Sequence, residues 1–398
     1  MSAARTGVRN PGASEGAGIL ETRLTGLAFE EFAHKVWSRT ALLTNAASDF
    51  SDVFGADAVD ELVSSRGLRT PFLRVAKDGA VLPESSYTSP AGVGATIADQ
   101  VDDTALWRHF ADGATLVLQA LHRTWAPVGD LCARLGAELG HPVQANAYIT
   151  PPLNRGFDDH YDVHDVFVVQ IQGRKRWLVH EPVHPDPLRD QPWTDRRAAV
   201  AEAARAPAYI DTVLEPGDVL YLPRGWLHAA EAQGEVSVHL TLGVHVWTRY
   251  ALAEHLAQAA LAALRDDPDM RGSLPLGGTA PTDDIRERLA HAVAEADPDP
   301  LLHRARRGQA RPAPLGPLAQ LAAVDTLDAR TPVRLRPSLE ARWKGARLMT
   351  RVGWLDFPEA ERPTVNTLLD GEARTAGDIG LALAERLLRA GVLVPAGR

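Results

Sequence analysis

The sequence predicts a mixed α+β protein centred on an antiparallel barrel or sandwich, with helices before and after it and a small α+β unit at the C-terminal end. Three observations carry this. Residues 142–247 are short runs rich in Val, Ile, Tyr and Trp, broken by Pro and Gly with no long helix between them, which points to antiparallel strands and not to a parallel βαβ sheet. Apolar residues recur at helical spacing on both sides of that block. A Pro-rich stretch, Arg311–Pro317, separates the second helical region from a last segment that mixes strand and helix texture.

Taken in order, residues 1–18 are rich in Gly, Ala, Ser and Arg without periodicity and read as a disordered tail. From Leu27, LAFEEFAHKVW places Phe29, Phe32, Ala33 and Val36 at helical spacing. Further helices are expected at Ala58–Ser65 and over Thr115–Leu139, the latter interrupted at Ala126-Pro127. PVQANAYITPP, DVFVVQIQG and KRWLVHEP read as strands, Arg189–Ala208 as a loop with a short helix, and DTVLEPGDVLYLP and VSVHLTLGVHVW as strands again. RYALAEHLAQAALAALRDD and TDDIRERLAHAVAEA are helical in pattern. In the last segment PVRLRPS, RLMTRVGWLDFP and GVLVP have strand character, while PTVNTLLDG and TAGDIGLALAERLLRA look helical. That mixture, ending in helix then strand, suits a winged-helix domain. The expected organisation is therefore a barrel domain over 19–248, a helical region over 249–325 and a winged helix over 331–398.

Composition narrows the class. The 398 residues are 45% hydrophobic and 23% charged, ordinary globular usage that can bury a sizeable core. A lone cysteine, Cys132, excludes an intramolecular disulfide framework and a multi-Cys zinc site. No apolar run approaches the ~18 residues that would span a bilayer. The N-terminal MSAARTGVRNPGASEGAG lacks the apolar core of a signal peptide. A soluble, cytoplasmic protein is expected. With 42 Lys and Arg against 51 Asp and Glu, the net charge of -9 argues against binding nucleic acid over the whole surface. Thr331–Arg351 holds six basic residues and one Glu, but 331–398 as a whole holds 11 basic and 8 acidic residues, too even for a nucleic-acid footprint.

The chemistry concentrates in NRGFDDHYDVHDVFVVQIQGRKRWLVHEP. In extended backbone, residues i and i+2 share a side, so His160 and Asp162 can meet one metal ion together. A third ligand would complete a two-His, one-carboxylate face, which leaves positions open and suits non-haem Fe(II). His228 is the candidate: it follows PGDVLYLPRGWLH, where Gly217 and Asp218 turn into a strand and Pro223–Gly225 ends it. Each residue alone is unremarkable as a surface pair or a core histidine. Their combination, with His228 falling 66 residues after Asp162, is specific. Lys175, 15 residues after His160, shares a strand face with Trp177 and Val179, while Arg174 and Arg176 take the other. A lysine inside a barrel needs an anion, for which the C5 carboxylate of 2-oxoglutarate would serve. Parity alone leaves that reading and a solvated turn both open. Asn146, Tyr148 and Thr150 share one strand face, as do Ser237, His239 and Thr241, so each face is either a polar lumen or a solvated surface. His164 lies close enough to the HxD pair to support it from outside the ligand set.

At these residues the sequence resembles the cupin-like JmjC oxygenases of the ribosomal oxygenase group, Fe(II)/2-oxoglutarate enzymes that hydroxylate ribosomal proteins. The matching segments are ANAYITPPLNRGFDDHYDVHDVFVVQIQGRKRW, LEPGDVLYLPRGWLHAA and SVHLTLGV, with weaker matches in VWSRTALL and GLRTPFLRVAKDGAVLP. The resemblance implies a double-stranded β-helix (jelly-roll) barrel with N-terminal helices, a helical dimerisation region and a C-terminal winged helix. It implies His160, Asp162 and His228 as iron ligands and Lys175, an Arg in some bacterial members, as the holder of 2-oxoglutarate. Asn146 and Tyr148 match positions lining the co-substrate and substrate pocket, and Ser237 and His239 are carried over with them. Dioxygen would be the oxidant. Ala251–Ala296 would form a homodimer. The implied substrate is an Arg or His of a ribosomal protein, hydroxylated at Cβ. Two alternatives are a hydroxylase of peptides or amino acids in secondary metabolism and a non-catalytic cupin/winged-helix regulator. Demethylation of N-methyl groups is chemically accessible to the same site.

Overall fold

The computed structural model describes residues 18–94, 96–277, 282–298, 302 and 312–396. The tail expected over 1–18 lies outside them apart from Gly18, as does Arg311 of the Pro-rich stretch. The chain divides into two units, Met1–Val246 and Trp247–Arg398.

Among its described residues the first unit carries thirteen strands: β1 (Leu42–Thr44), β2 (Leu73–Lys77), β3 (Ala80–Val81), β4 (Thr88–Ser89), β5 (Gln100–Val101), β6 (Thr115–Leu118), β7 (Val143–Thr150), β8 (Asp165–Gln172), β9 (Lys175–His180), β10 (Ile210–Leu214), β11 (Val219–Leu222), β12 (Leu227–Ala232) and β13 (Ser237–Val244). An eight-stranded sheet has the order β1-β11-β8-β13-β7-β6-β2-β3, and a three-stranded sheet the order β10-β9-β12. Every ladder in these two sheets is antiparallel. Alternation sorts the residues of the large sheet. Leu73, Val75, Leu116, Leu118, Ala147 and Ile149 bury one face against helices Phe29–Lys35, Ala56–Ser65 and Ala126–Leu139. The other face meets the small sheet through Val166, Val168 and Leu220 packed on Trp177, Val179 and Leu214. The lumen lies between these layers. Cys132 is buried in helix Ala126–Leu139, where burial pushes its thiol up to about 12.

One expectation is corrected. Thr115–Leu118 does not begin a helix; it is strand β6, buried at all four positions between β2 and β7. Ala120, in the left-handed region at φ 54°, then turns the chain into helices Leu121–Thr124 and Ala126–Leu139. A strand covered on both faces reads as a continuous apolar run, which periodicity cannot separate from a buried helix.

In the second unit, helices Arg249–Leu264 and Thr282–Glu295 pack together, and Arg288 bridges Asp267, Asp269 and Asp284 at 2.8–3.0 Å. Helix Pro317–Asp325 follows, then β14 (Pro332–Leu335), β15 (Arg342–Lys344), β16 (Arg347–Thr350), β17 (Gly353–Asp356), β18 (Arg374–Thr375) and β19 (Leu393–Pro395). These strands form two small sheets, β18-β14-β19 and β15-β16-β17. Val333, Val365, Leu383, Leu387 and Leu393 give this unit its own core.

Asp165 joins the N-terminal segment to the barrel. Fully buried at the start of β8, it accepts hydrogen bonds from the Tyr221 hydroxyl (2.5 Å), the Arg224 amide (3.0 Å) and Ser38 Oγ (3.4 Å). Asp165→Ala strands the Tyr221 and Arg224 donors in the interior. We expect a loss of about 3 kcal/mol or more, seen as a lower urea midpoint at unchanged slope.

Candidate active site

The HxD segment is extended. His160 and Asp162 line a pocket, while Tyr161 between them is buried on the opposite side against Val200 and Leu227, its hydroxyl donating to the Gln191 carbonyl at 3.0 Å. His160 and His228 exchange backbone hydrogen bonds, His160 N to His228 O at 3.2 Å and His228 N to His160 O at 2.8 Å. The Gly225 amide donates to the Asp162 carbonyl at 3.0 Å. The turn that ends β11 is therefore sewn to the HxD segment through the backbone.

The result is a set of ligand atoms from His160, Asp162 and His228 that all lie within 4.8 Å of one another. His228 Nε2 is 3.8 Å from Asp162 Oδ2. His160 Nδ1 sits 2.7 Å from the Asp158 carbonyl and His228 Nδ1 3.1 Å from the Trp226 carbonyl. Those carbonyls hold a proton on each Nδ1 and leave each Nε2 lone pair for a metal. Burial, reinforced by the charge of His160, pushes His228 down to about 4, so it is neutral at pH 7. Burial alone would raise Asp162, but His164, His228, His160 and Arg74 outweigh it and the carboxyl is lowered. Two imidazoles with Nε2 turned to the pocket and one lowered carboxyl on one face fit a divalent metal with open positions.

Lys175 projects into the same pocket. It is buried, whereas Arg176 is exposed and paired with Asp211 at 2.7 Å. Its Nζ donates to Thr150 Oγ1 at 3.0 Å, leaving donor capacity free. With no anion beside it, burial pushes the ammonium down to about 7. Tyr148 and His239 stack face to face at 4.9 Å and 1° on the pocket wall. Burial raises Tyr148 to about 12, and burial with the charges of Lys175 and His228 holds His239 well below its usual range. The buried His239 Nδ1 and Trp177 Nε1 have no hydrogen-bond partner.

Asn146 and Ser237 lie off the pocket wall. Asn146 Oδ1 accepts from the Ala120 amide at 3.0 Å, and Ser237 Oγ accepts from Gln170 Nε2 at 2.9 Å. Sequence reasoning did not single out Thr115 or Phe157, both on the wall. Phe157 stands 6.0 Å from the His160 ring, and its place three residues before that histidine was the available signal. Thr115 was hidden by the helical reading of TLVL.

Residues 102–252 match the JmjC domain family, a span that holds all three ligand candidates and Lys175. Among curated relatives, a bifunctional lysine-specific demethylase and histidyl-hydroxylase of Drosophila grimshawi is 31% identical over 267 residues, 65% of this chain and 35% of its own length. Ribosomal oxygenase 1 of Rattus norvegicus is 30% identical over 265 residues, 65% of this chain and 42% of its own. This chain thus spans less than half the length of these relatives. Among solved structures, the Escherichia coli ribosomal oxygenase YcfD aligns over 94% of this chain and 99% of its own, with TM-score 0.57 and 20% identity. A structure of that protein with cobalt and 2-oxoglutarate aligns with TM-score 0.56 and 20% identity. The chain carries a JmjC domain on a cupin-like fold. Over 94% of its length its fold is similar to that of YcfD.

Lys175 makes stability depend on pH in a defined direction. Between about 7 and the ordinary lysine value of 10.5 the unfolded chain binds a proton that the folded site refuses. The contribution of this residue to stability therefore rises with pH through that window and falls as pH drops toward 7. Lys175→Met removes the dependence. We expect the metal-free variant to unfold at higher temperature than wild type at pH 7, with the gap closing toward pH 10 in paired melts.

Proposed function

We propose that this protein is an Fe(II)- and 2-oxoglutarate-dependent oxygenase that hydroxylates an unactivated C–H bond of a protein side chain, an Arg or His of a ribosomal protein. One observation carries the reading. A buried lysine with a single hydrogen-bond partner opens on the same pocket as a two-His, one-carboxylate set. A metal-binding protein without a carboxylate co-substrate has no use for a buried cation there.

His160, Asp162 and His228 would hold the iron, and Lys175 and Thr150 the far carboxylate of 2-oxoglutarate. Bound there, iron and 2-oxoglutarate would supply the electrons and the metal that activate dioxygen, the oxidant: one oxygen atom would end in succinate as 2-oxoglutarate loses carbon dioxide, the other in the substrate's new hydroxyl. Tyr148 and His239 wall the co-substrate with flat, neutral surfaces. Their perturbed acidities keep them uncharged at pH 7, so neither competes with Lys175 for the carboxylate. Trp177 closes the side next to His228, their rings 6.0 Å apart. Phe157 on one side of His160 and Trp193 on the other, at 6.0 and 6.3 Å, frame an approach for a side chain and limit water. Asn146 and Ser237 act behind the wall, fixing the positions of Ala120 and Gln170.

The ribosomal substrate is supported by kinship with the ribosomal oxygenases. The second unit contains the proposed dimer element and winged helix. Helix Arg249–Leu264 buries Ala260 but exposes Tyr250 and Leu261, which supports a partner helix from a second copy. Among the described residues no helix is long and apolar enough to cross a membrane, consistent with a cytoplasmic site of action.

Purified protein with Fe(II) and ascorbate should convert 2-oxoglutarate to succinate, and His160→Ala should reduce this to background. Mass spectrometry of ribosomal proteins from cells with and without the gene should show one added oxygen in the former. No turnover with ribosomal extract, together with an unaltered ribosome, would remove the reading. Formaldehyde from methylated peptides would redirect it to demethylation.

Lys175→Ala should raise the KM for 2-oxoglutarate roughly 10- to 100-fold, the worth of one charge-assisted hydrogen bond. Because the free lysine sits at about 7, it must take up a proton to hold the carboxylate at higher pH. Affinity should weaken from pH 7 to 9, by up to about tenfold per unit. Calorimetry in two buffers of different ionisation heat should register proton uptake.

A further inference from the structure

We infer that Arg74 is a docking residue for an anionic group of the substrate, a carboxylate on the peptide beside the side chain that enters the site; this rests on the hydroxylase reading above. Register places it. Arg74 on β2 stands opposite Val117 on β6, Val117 opposite Tyr148 on β7, and Tyr148 opposite His239 on β13. Residues opposed across an antiparallel ladder point to the same face. Tyr148 and His239 wall the pocket, so Arg74 extends their row on the lumen side of the sheet. Its neighbours Leu73 and Val75 point the other way, into the helix-covered core.

Its bonding state sets it apart. Arg155 is paired with Asp158 at 2.9 Å, Arg176 with Asp211 at 2.7 Å and Arg224 with Asp186 at 2.9 Å. Arg74 has no hydrogen-bond or ion-pair partner among the described residues, and its Nε is sealed from solvent. The residue as a whole is half-buried, and its charge acts on Asp162 and Tyr148 of the site. A buried guanidinium N–H without an acceptor specifies what is missing. A guanidinium is the side chain best matched to a carboxylate, which it can grip with two parallel hydrogen bonds.

The test is affinity capture, which needs no turnover. Synthetic nine-residue peptides with a central His or Arg and randomised flanks are passed over immobilised full-length protein loaded with cobalt(II) and 2-oxoglutarate, and the bound pool is sequenced. Wild type should enrich Asp or Glu at one flanking position roughly tenfold, the effect of one charge-assisted hydrogen bond. Arg74→Gln should lose that enrichment. Arg74→Glu should turn it into a preference for Lys or Arg, a gain that misfolding cannot imitate. An unselective wild-type pool, or an acidic preference that survives in both variants, would overturn the assignment. Peptide-free 2-oxoglutarate turnover by the wild type is measured separately. Its absence would remove the oxygenase reading and leave the capture result to decide Arg74.

Discussion

Two backbone hydrogen bonds between His160 and His228 are the constraint on which the site depends. The residues are 68 apart in sequence, and neither side chain fixes the position of the other. The exchange sets the register of β12 against the HxD segment, and β12 pairs in turn with β9, where Ala232 stands opposite Lys175. A slip of one residue would turn His228 out of the lumen and Ala229 into it. One register therefore fixes both the ligand set and the cation that faces it. The Asp165 contacts to Tyr221 and Arg224 hold the same turn from its other end.

The two faces of the large sheet do opposite work. The outer face is continuous Leu, Val and Ile packed on helices, and it supplies the stability. The inner face is polar at the centre, where His239 faces Lys175 and Trp177 of the small sheet across the lumen, all three with bonding capacity unused. Such groups are costly to bury. They persist where the rest of the fold is stable enough to carry them. Unused donors and a depressed ammonium on one wall suit an anion.

What could be read in advance follows from how local each signal was. HYD before a strand and PGDVLYLPRGWLH are short segments whose turn chemistry and alternation state where each side chain points. The orientation of Lys175 needed knowledge of which strand face lines the lumen. Parity gives the faces but not their destinations. Alternation also placed Asn146 and Ser237 with Tyr148 and His239, but depth along the strand was not available. That is why two of the four prove to be bonded behind the wall. TLVL misled because a strand buried on both sides has no period. LRVAK was never assigned as a strand, although Leu73, Val75 and Arg74 alternate, and the lumen position of Arg74 went unseen with it. The antiparallel character of the barrel was legible from strand texture. The pairing order was not, since β13 reaches β8 and β7 together through contacts distant in sequence.

The lone thiol has a meaning beyond packing. Iron and dioxygen held together shed reactive oxygen species whenever a cycle miscarries, and thiolates are the groups those species attack first. Cys132 is shut inside helix Ala126–Leu139 and kept protonated by burial, so the folded chain presents no thiolate at neutral pH. The protein is thereby spared sulfenylation and cross-linking between copies. On the proposed iron chemistry, damage would fall instead on the imidazoles and aromatic rings of the pocket, and age would show as a loss of metal before a loss of fold.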